Sequence, residues 1–143
     1  CEMQKKHQIS KTYHASVYGT KMASAGLIDL PILKLPGRSL LRTVAPNGKR
    51  SRTKFHVSAR FPRFSVLELK PITGRTHQLR VHCKYAGFPI LGDPQYQSEE
   101  SEAFSKENEL FSQELCAKRL EFRHPMTGEK ITIYSRQNVW KSP

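Results

Sequence analysis

Pro71-Ile72-Thr73-Gly74-Arg75-Thr76-His77-Gln78-Leu79-Arg80-Val81-His82 packs a turn, two arginines, two histidines and an amide into twelve residues. Thr73-Gly74 reads as a turn, with Gly74 free to take a positive φ and Thr73 placed to cap the next element. From Arg75 the spacing becomes helical. Leu79, Cys83 and Ala86 share an apolar face, and His77, Arg80 and Lys84 share another. Gly87 stands where a glycine ends a helix. A short helix with a cationic stripe is therefore expected directly after the turn.

The stretch before it reads as a hairpin. Arg52 to Arg60 alternates, with Thr53, Phe55, Val57 and Ala59 inward against Lys54, His56, Ser58 and Arg60. Phe64 to Lys70 is apolar on both faces, through Phe64 and Val66 on one and Leu67 and Leu69 on the other, as in a central strand. Ile9 to Tyr18 alternates with Lys11, Tyr13, Ala15 and Val17 on one side. Leu27 to Ile32 is too short and too close to Pro31 for a central strand. Pro36-Gly37 and Pro46-Asn47-Gly48 bracket what reads as an irregular basic connection. Gln97 to Gln113 carries five glutamates and one lysine and reads as a peripheral loop or solvated helix resting on Phe104, Leu110 and Phe111. Cys116 to His124 and Lys130 to Tyr134 form a closing hairpin around Pro125-Met126-Thr127-Gly128. The expected class is α+β: a mostly antiparallel mixed sheet with one main helix. The expected organisation is a frayed stretch 1–8, a folded unit 9–136 and a tail 137–143.

The net charge is +12, and it is unevenly placed. Residues 1–84 hold 17 basic and three acidic side chains, a local excess of +14. A positive field of that kind fits a polyanion, nucleic acid first among them. The three cysteines, Cys1, Cys83 and Cys116, form neither a zinc pattern nor a disulfide framework, which fits a reducing cytoplasm. No apolar run reaches the roughly 18 residues that span a bilayer.

Thr73-Gly74-Arg75-Thr76-His77-Gln78-Leu79-Arg80-Val81-His82 with Gly87-Phe88-Pro89-Ile90-Leu91-Gly92-Asp93 resembles the late motif of RluA-type RNA pseudouridine synthases. Lys11-Thr12-Tyr13 resembles that family's Lys-x-Tyr strand. Leu115-Cys116-Ala117 and Leu120-Glu121-Phe122-Arg123-His124-Pro125 resemble its closing strand, with Cys116 where many members carry His. The resemblance implies isomerisation of uridine to pseudouridine in structured ribosomal or transfer RNA, without metal or organic cofactor. It implies that Arg80 pairs with a nucleophilic aspartate, and that Tyr13 lies against the target base. Arg suits such a pairing because its planar fork grips a carboxylate and stays charged when buried.

Around these two catalytic candidates stand the substrate-binding ones. Lys11 belongs to the Lys-x-Tyr strand. Arg75 and Gln78 support either the RNA backbone or the local turn, and His77 is a structural or RNA-contacting histidine, as is His82. No carboxylate or cysteine at ligand spacing makes either histidine a metal ligand. By resemblance, Ile90 and Leu91 wall the uracil pocket. Tyr13 also shares a face with Ala15 and Val17, so it reads equally as half core.

The family's Arg-Leu-Asp motif does not occur in the chain, and Asp29 and Asp93 lie outside any such context. The expectation is a C-terminal part of a catalytic domain whose upstream half carries the nucleophile. Alone, it is expected to be inactive, to leave apolar surface around Tyr13, Val66 and Leu79 bare, to leave Arg80 beside an unfilled anion site, and to self-associate through an exposed sheet edge. The alternative is a non-catalytic RNA-binding protein derived from the same fold.

Overall fold

The computed structural model of the protein describes residues 9–37, 40–135 and 137–140. The stretch Cys1–Gln8, expected to be frayed, lies outside them. Among the described residues eight strands and two helices run in order: β1 (Ile9–Tyr18), β2 (Ala25–Asp29), β3 (Ile32–Lys34), β4 (Arg42–Val44), β5 (Arg52–Arg60), β6 (Phe64–Pro71), α1 (Gln78–Tyr85), α2 (Glu99–Glu107), β7 (Leu115–Arg123) and β8 (Lys130–Tyr134). Six strands form one sheet in the order β2-β5-β6-β1-β7-β8. Every pairing in it among the described residues is antiparallel, and with the helices this is the α+β, mostly antiparallel class expected.

β6 and β1 sit at the centre because both can bury side chains on two faces. On one face Ala15, Val17, Leu67 and Leu69 pack against Leu79 and Cys83 of α1, with Phe55 and Val57 at the margin. On the other, Phe64 and Val66 pack against Leu91, Phe104 of α2, and Val139. The inward row expected along β5 changes sides near its end. The register slips between Val57 and Ala59, and Ala59 joins the second core instead of the first. An extra residue in one strand reverses the faces of those beyond it, which no alternation pattern reveals.

Several expectations yield to packing. The acidic segment is a second helix, capped by Ser98 and Ser101 in a reciprocal pair of hydrogen bonds. It is integral rather than peripheral, since Phe104 meets the rings of Tyr18, Phe64 and Trp140. Phe111, by contrast, is exposed. The supposed tail also contributes to this core: Val139 is buried, and Lys118 Nζ donates to the carbonyls of Ser135 and Gln137 and to Asn138 Oδ1. Val66 and Leu79 are therefore covered, at 2% and 8% exposure, not bare.

The basic connection after β2 contains the two-stranded ribbon β3–β4, clamped through Ile32, Leu41 and Val44 onto Val81 and Tyr96. α1 is thus enclosed on two sides, and Val81 and His82 are buried while Ala86 is exposed. The helix ends as Gly87 suggested. Gly87 takes φ 100°, its N–H bonds Lys84 O, and the Phe88 N–H bonds Cys83 O, which is a Schellman closure.

Candidate active site

Where β1 begins and α1 starts, a cleft of about 330 Å³ opens. Leu79 and Leu115 supply apolar wall, and Lys11, Tyr13, Arg75, His77, Gln78 and Arg80 bring polar groups to it. The strand motif and the helix motif, far apart in the sequence, therefore meet at one place. Tyr13 stands beside a register shift between β1 and β7, where Thr12 faces Arg119 but Tyr13 faces Ala117. Such bulges re-aim side chains next to functional clefts.

The turn into α1 is built differently from expectation. Gly74 does not take the positive φ; His77 does, at 57°, as the residue preceding the helix. No side chain caps it in the ordinary way. Instead the buried Gln78 reaches back, its Oε1 accepting from the Arg75 N–H at 3.0 Å and from the Thr73 hydroxyl at 2.7 Å. Its Nε2 donates to Arg52 O and to Thr53 Oγ1, both at 2.9 Å. Gln78 is therefore a strut of the turn as well as a cleft residue. Arg75 also ties down backbone, donating through Nε and Nη2 to Arg50 O.

The network continues into the core. Thr53 Oγ1 lies 2.8 Å from His82 Nδ1, and His82 Nε2 lies 2.9 Å from Leu30 O. Only a donor suits a carbonyl, so Nε2 carries the proton and Nδ1 accepts from Thr53. Burial pushes the His82 imidazole below its ordinary pKa, against the opposing pull of the Leu30 carbonyl and Asp29. His82 is fully buried and structural.

Arg80 is not beside an unfilled anion site. Its Nε and Nη2 each donate to Asp93 at 2.8 Å, and Nη2 also donates to Gln95 Oε1 at 2.9 Å. The Asp93 side chain is 0% exposed and that of Arg80 11%. Asp93 Oδ1 further accepts from the N–H groups of Gln95 and Tyr96. Burial alone would raise this carboxyl, but the Arg80 hydrogen bonds, the Gln95 N–H and the Arg80 charge hold it below the usual carboxylate range. Asp93 arrives there because Gly92 turns at φ 74°; a Cβ on Gly92 would stand 2.1 Å from Ser112 O.

Tyr96 completes the surroundings. The Arg80 guanidinium lies 5.0 Å over its ring, and its hydroxyl lies 2.8 Å from His77 Nδ1 and 2.9 Å from the Arg42 N–H. Burial first, then the charges of Arg80 and Arg42, lower the His77 pKa, with Asp93 opposing.

Ile90 and Leu91, expected as pocket walls, are instead fully buried in the two cores and do not line the cleft. Asp93, Gln95 and Tyr96 were missed as partners of the site. A turn-forming Gly-Asp followed three residues later by an aromatic was their only signal. Among the described residues no carboxylate lines the cleft, since Asp93 is consumed behind Arg80. Chemically, the site offers two apolar walls, a phenol, a neutral imidazole and a guanidinium locked in position. A larger groove of about 690 Å³ at the far end of α1 holds none of the candidate residues.

A family model described as RNA pseudouridylate synthase matches residues 1–85. The ribosomal large subunit pseudouridine synthase C of Vibrio vulnificus is 38% identical over 125 residues, covering 87% of this chain and 39% of that protein. The dual-specificity RNA pseudouridine synthase RluA of Yersinia pestis is 42% identical over 118 residues, covering 81% of this chain and 57% of its own. The chain thus spans about two fifths to three fifths of the length of these relatives. Among solved structures, human RNA pseudouridylate synthase domain containing 1 superposes with a TM-score of 0.79 at 28% identity, over 95% of this chain and 58% of that one. By the matching family model and these relatives, the chain belongs to the RNA pseudouridylate synthase family and is of the RluA type.

Proposed function

We propose that this chain furnishes the arginine-and-tyrosine half of a pseudouridine synthase active site, acting on uridine in structured ribosomal or transfer RNA. The observation that carries the reading is the convergence of Tyr13, Lys11 and Arg80 on one cleft in a chain of this family. Its volume of about 330 Å³ lies in the range of small-ligand pockets. Tyr13 supplies an aromatic face for an unstacked base, worth about 1–3 kcal/mol per base. Lys11 and Arg75 flank the strand's phosphates. Arg80 stabilises an attacking carboxylate through Nη1, which neither Asp93 nor Gln95 engages, and so lowers that carboxylate's pKa.

In this reading the nucleophile joins the cleft from outside the described residues, none of which brings a carboxylate to it, and the isolated chain is inactive. Alone, it associates through the outer edge of β8, where Ile133 and Tyr134 are 52% and 71% exposed. The lack of a cleft carboxylate is also what a non-catalytic RNA-binding relative would show.

A chimera separates the two. This chain replaces the 125 matched residues of the Vibrio vulnificus relative, and tritium release is measured from RNA labelled at uridine C5. Release by the chimera, and none by the chain alone, is the expected result. RNA binding without release by a folded chimera favours the non-catalytic reading.

A further inference from the structure

We propose that His77 is a base-reading residue, held by Tyr96 in the tautomer that carries its proton on Nε2, and that it donates this hydrogen bond to a carbonyl oxygen of the uracil ring entering the cleft. The inference rests on the function proposed above and goes further by giving one side chain a defined ligand atom.

The tautomer comes from hydrogen-bond accounting. The Arg42 N–H can only donate, so the Tyr96 oxygen accepts from it at 2.9 Å. The phenolic hydrogen is then free for its other neighbour, His77 Nδ1, at 2.8 Å. An Nδ1 that accepts leaves the proton on Nε2. Nε2 makes no hydrogen bond among the described residues, and the imidazole borders the cleft.

The arrangement is fixed from behind. Tyr96 is 3% exposed, its N–H is held by Asp93, and its ring lies edge-on to His77 at 5.5 Å and beneath the Arg80 guanidinium. Asp93 therefore places two cleft groups at once, Arg80 directly and His77 through Tyr96. The left-handed backbone of His77 adds to the case, because strain at a residue other than glycine persists where surrounding structure imposes it and clusters at ligand sites.

A neutral donor suits a carbonyl. Phosphate oxygens have Lys11 and Arg75 at the same cleft, each a charged and stronger partner. Burial and the neighbouring cations both disfavour a charged imidazole here. The oxygen atoms of uracil are what an uncharged N–H can read without competing for the backbone.

The test uses imidazole nitrogen NMR on the chain itself, at low salt and neutral pH, with a short oligouridylate and an abasic oligoribonucleotide of equal length. His77 is expected to show a single Nε2–H tautomer. Oligouridylate should shift its Nε2 resonance and the abasic strand should not, although both move signals from Lys11 and Arg75. In Tyr96→Phe the imidazole should populate both tautomers, and oligouridylate should bind about fivefold more weakly, the worth of one ordinary hydrogen bond. His77→Asn, which tolerates the left-handed backbone, should cut the preference for uridine over the abasic strand about fivefold, leaving the part that stacking on Tyr13 supplies. A tautomer with the proton on Nδ1, an equal shift with the abasic strand, or an unmoved His77 while Tyr13 and Leu79 respond would each overturn the proposal. Failure of every cleft signal to respond to either strand would overturn the RNA reading beneath it.

Discussion

The Nε and Nη2 atoms of Arg80 meet the two carboxylate oxygens of Asp93, each at 2.8 Å, and the carboxylate is wholly enclosed. Arg80 therefore reaches the cleft already oriented and partly neutralised. Removing one partner of a buried pair leaves the other's charge uncompensated, at a cost of about 3–5 kcal/mol. Because Arg80 keeps slight solvent access, Asp93→Ala is expected to cost about 3 kcal/mol, read as a lower urea midpoint with unchanged slope. The folded-state pKa of Asp93 is depressed, so the pair's contribution is complete above the unfolded value of about 3.9 and lost as pH falls through the lower folded value. In Asp93→Asn that part of the acid profile should flatten.

The chain of hydrogen bonds from Gln78 through Thr53 to His82 and Leu30 requires a neutral imidazole. Folded His82 resists protonation while the unfolded chain takes a proton near pH 6.5. Stability should therefore fall as pH drops below about 6.5, until the folded value is reached. Denaturant titrations at neutral and mildly acid pH check this. The slope should shrink in His82→Gln, whose amide cannot take up a proton in that range.

Gly92 combines a left-handed φ of 74° with an approach of 2.1 Å between a built Cβ and Ser112 O. Gly92→Ala therefore forces backbone apart next to Asp93. A loss of about 2–4 kcal/mol is expected, from strain and from displacement of the Arg80 partner. Gly128→Ala, with a positive φ but nothing within 4 Å of the built Cβ, should cost about 1 kcal/mol.

The +14 excess over residues 1–84 predicts RNA binding that is weak, indifferent to sequence overall and steep in salt. Each phosphate contact should add about 0.7 to the log–log slope for single strands. Lys11→Ala and Arg75→Ala should each lower the slope by about one contact. Binding that is constant from low to high salt would remove the basic face from the RNA path.

Much of this was legible in the chain. Alternation placed β1 and β5, the doubly apolar β6 marked the sheet centre, and Gly87 marked the end of α1. Motif order brought Lys11, Tyr13 and Arg80 to one site. What escaped notice depends on contacts between distant residues. Nothing local to Gly74 shows that the Gln78 amide, anchored on Arg52 and Thr53, will hold the turn and pass the left-handed conformation to His77. The face change at Ala59 comes from a bulge, and bulges leave the hydrophobic pattern nearly intact. Phe104 looked peripheral because its helix is acidic, yet one aromatic on an acidic helix is enough to close a core. Asp93 read as a bystander because its partner, Arg80, lies thirteen residues away on another element.

The central claim is that Arg80 serves the reacting carboxylate from this cleft. The direct measurement is tritium release from C5-labelled uridine RNA by the chimera with the Vibrio vulnificus relative, with Arg80 and with Arg80→Ala, each checked for folding by its denaturant midpoint. Loss of a preorganised charged donor predicts a fall of at least about a hundredfold in turnover, with RNA affinity changed far less. A folded Arg80→Ala chimera that releases tritium at close to the parent rate would contradict the account.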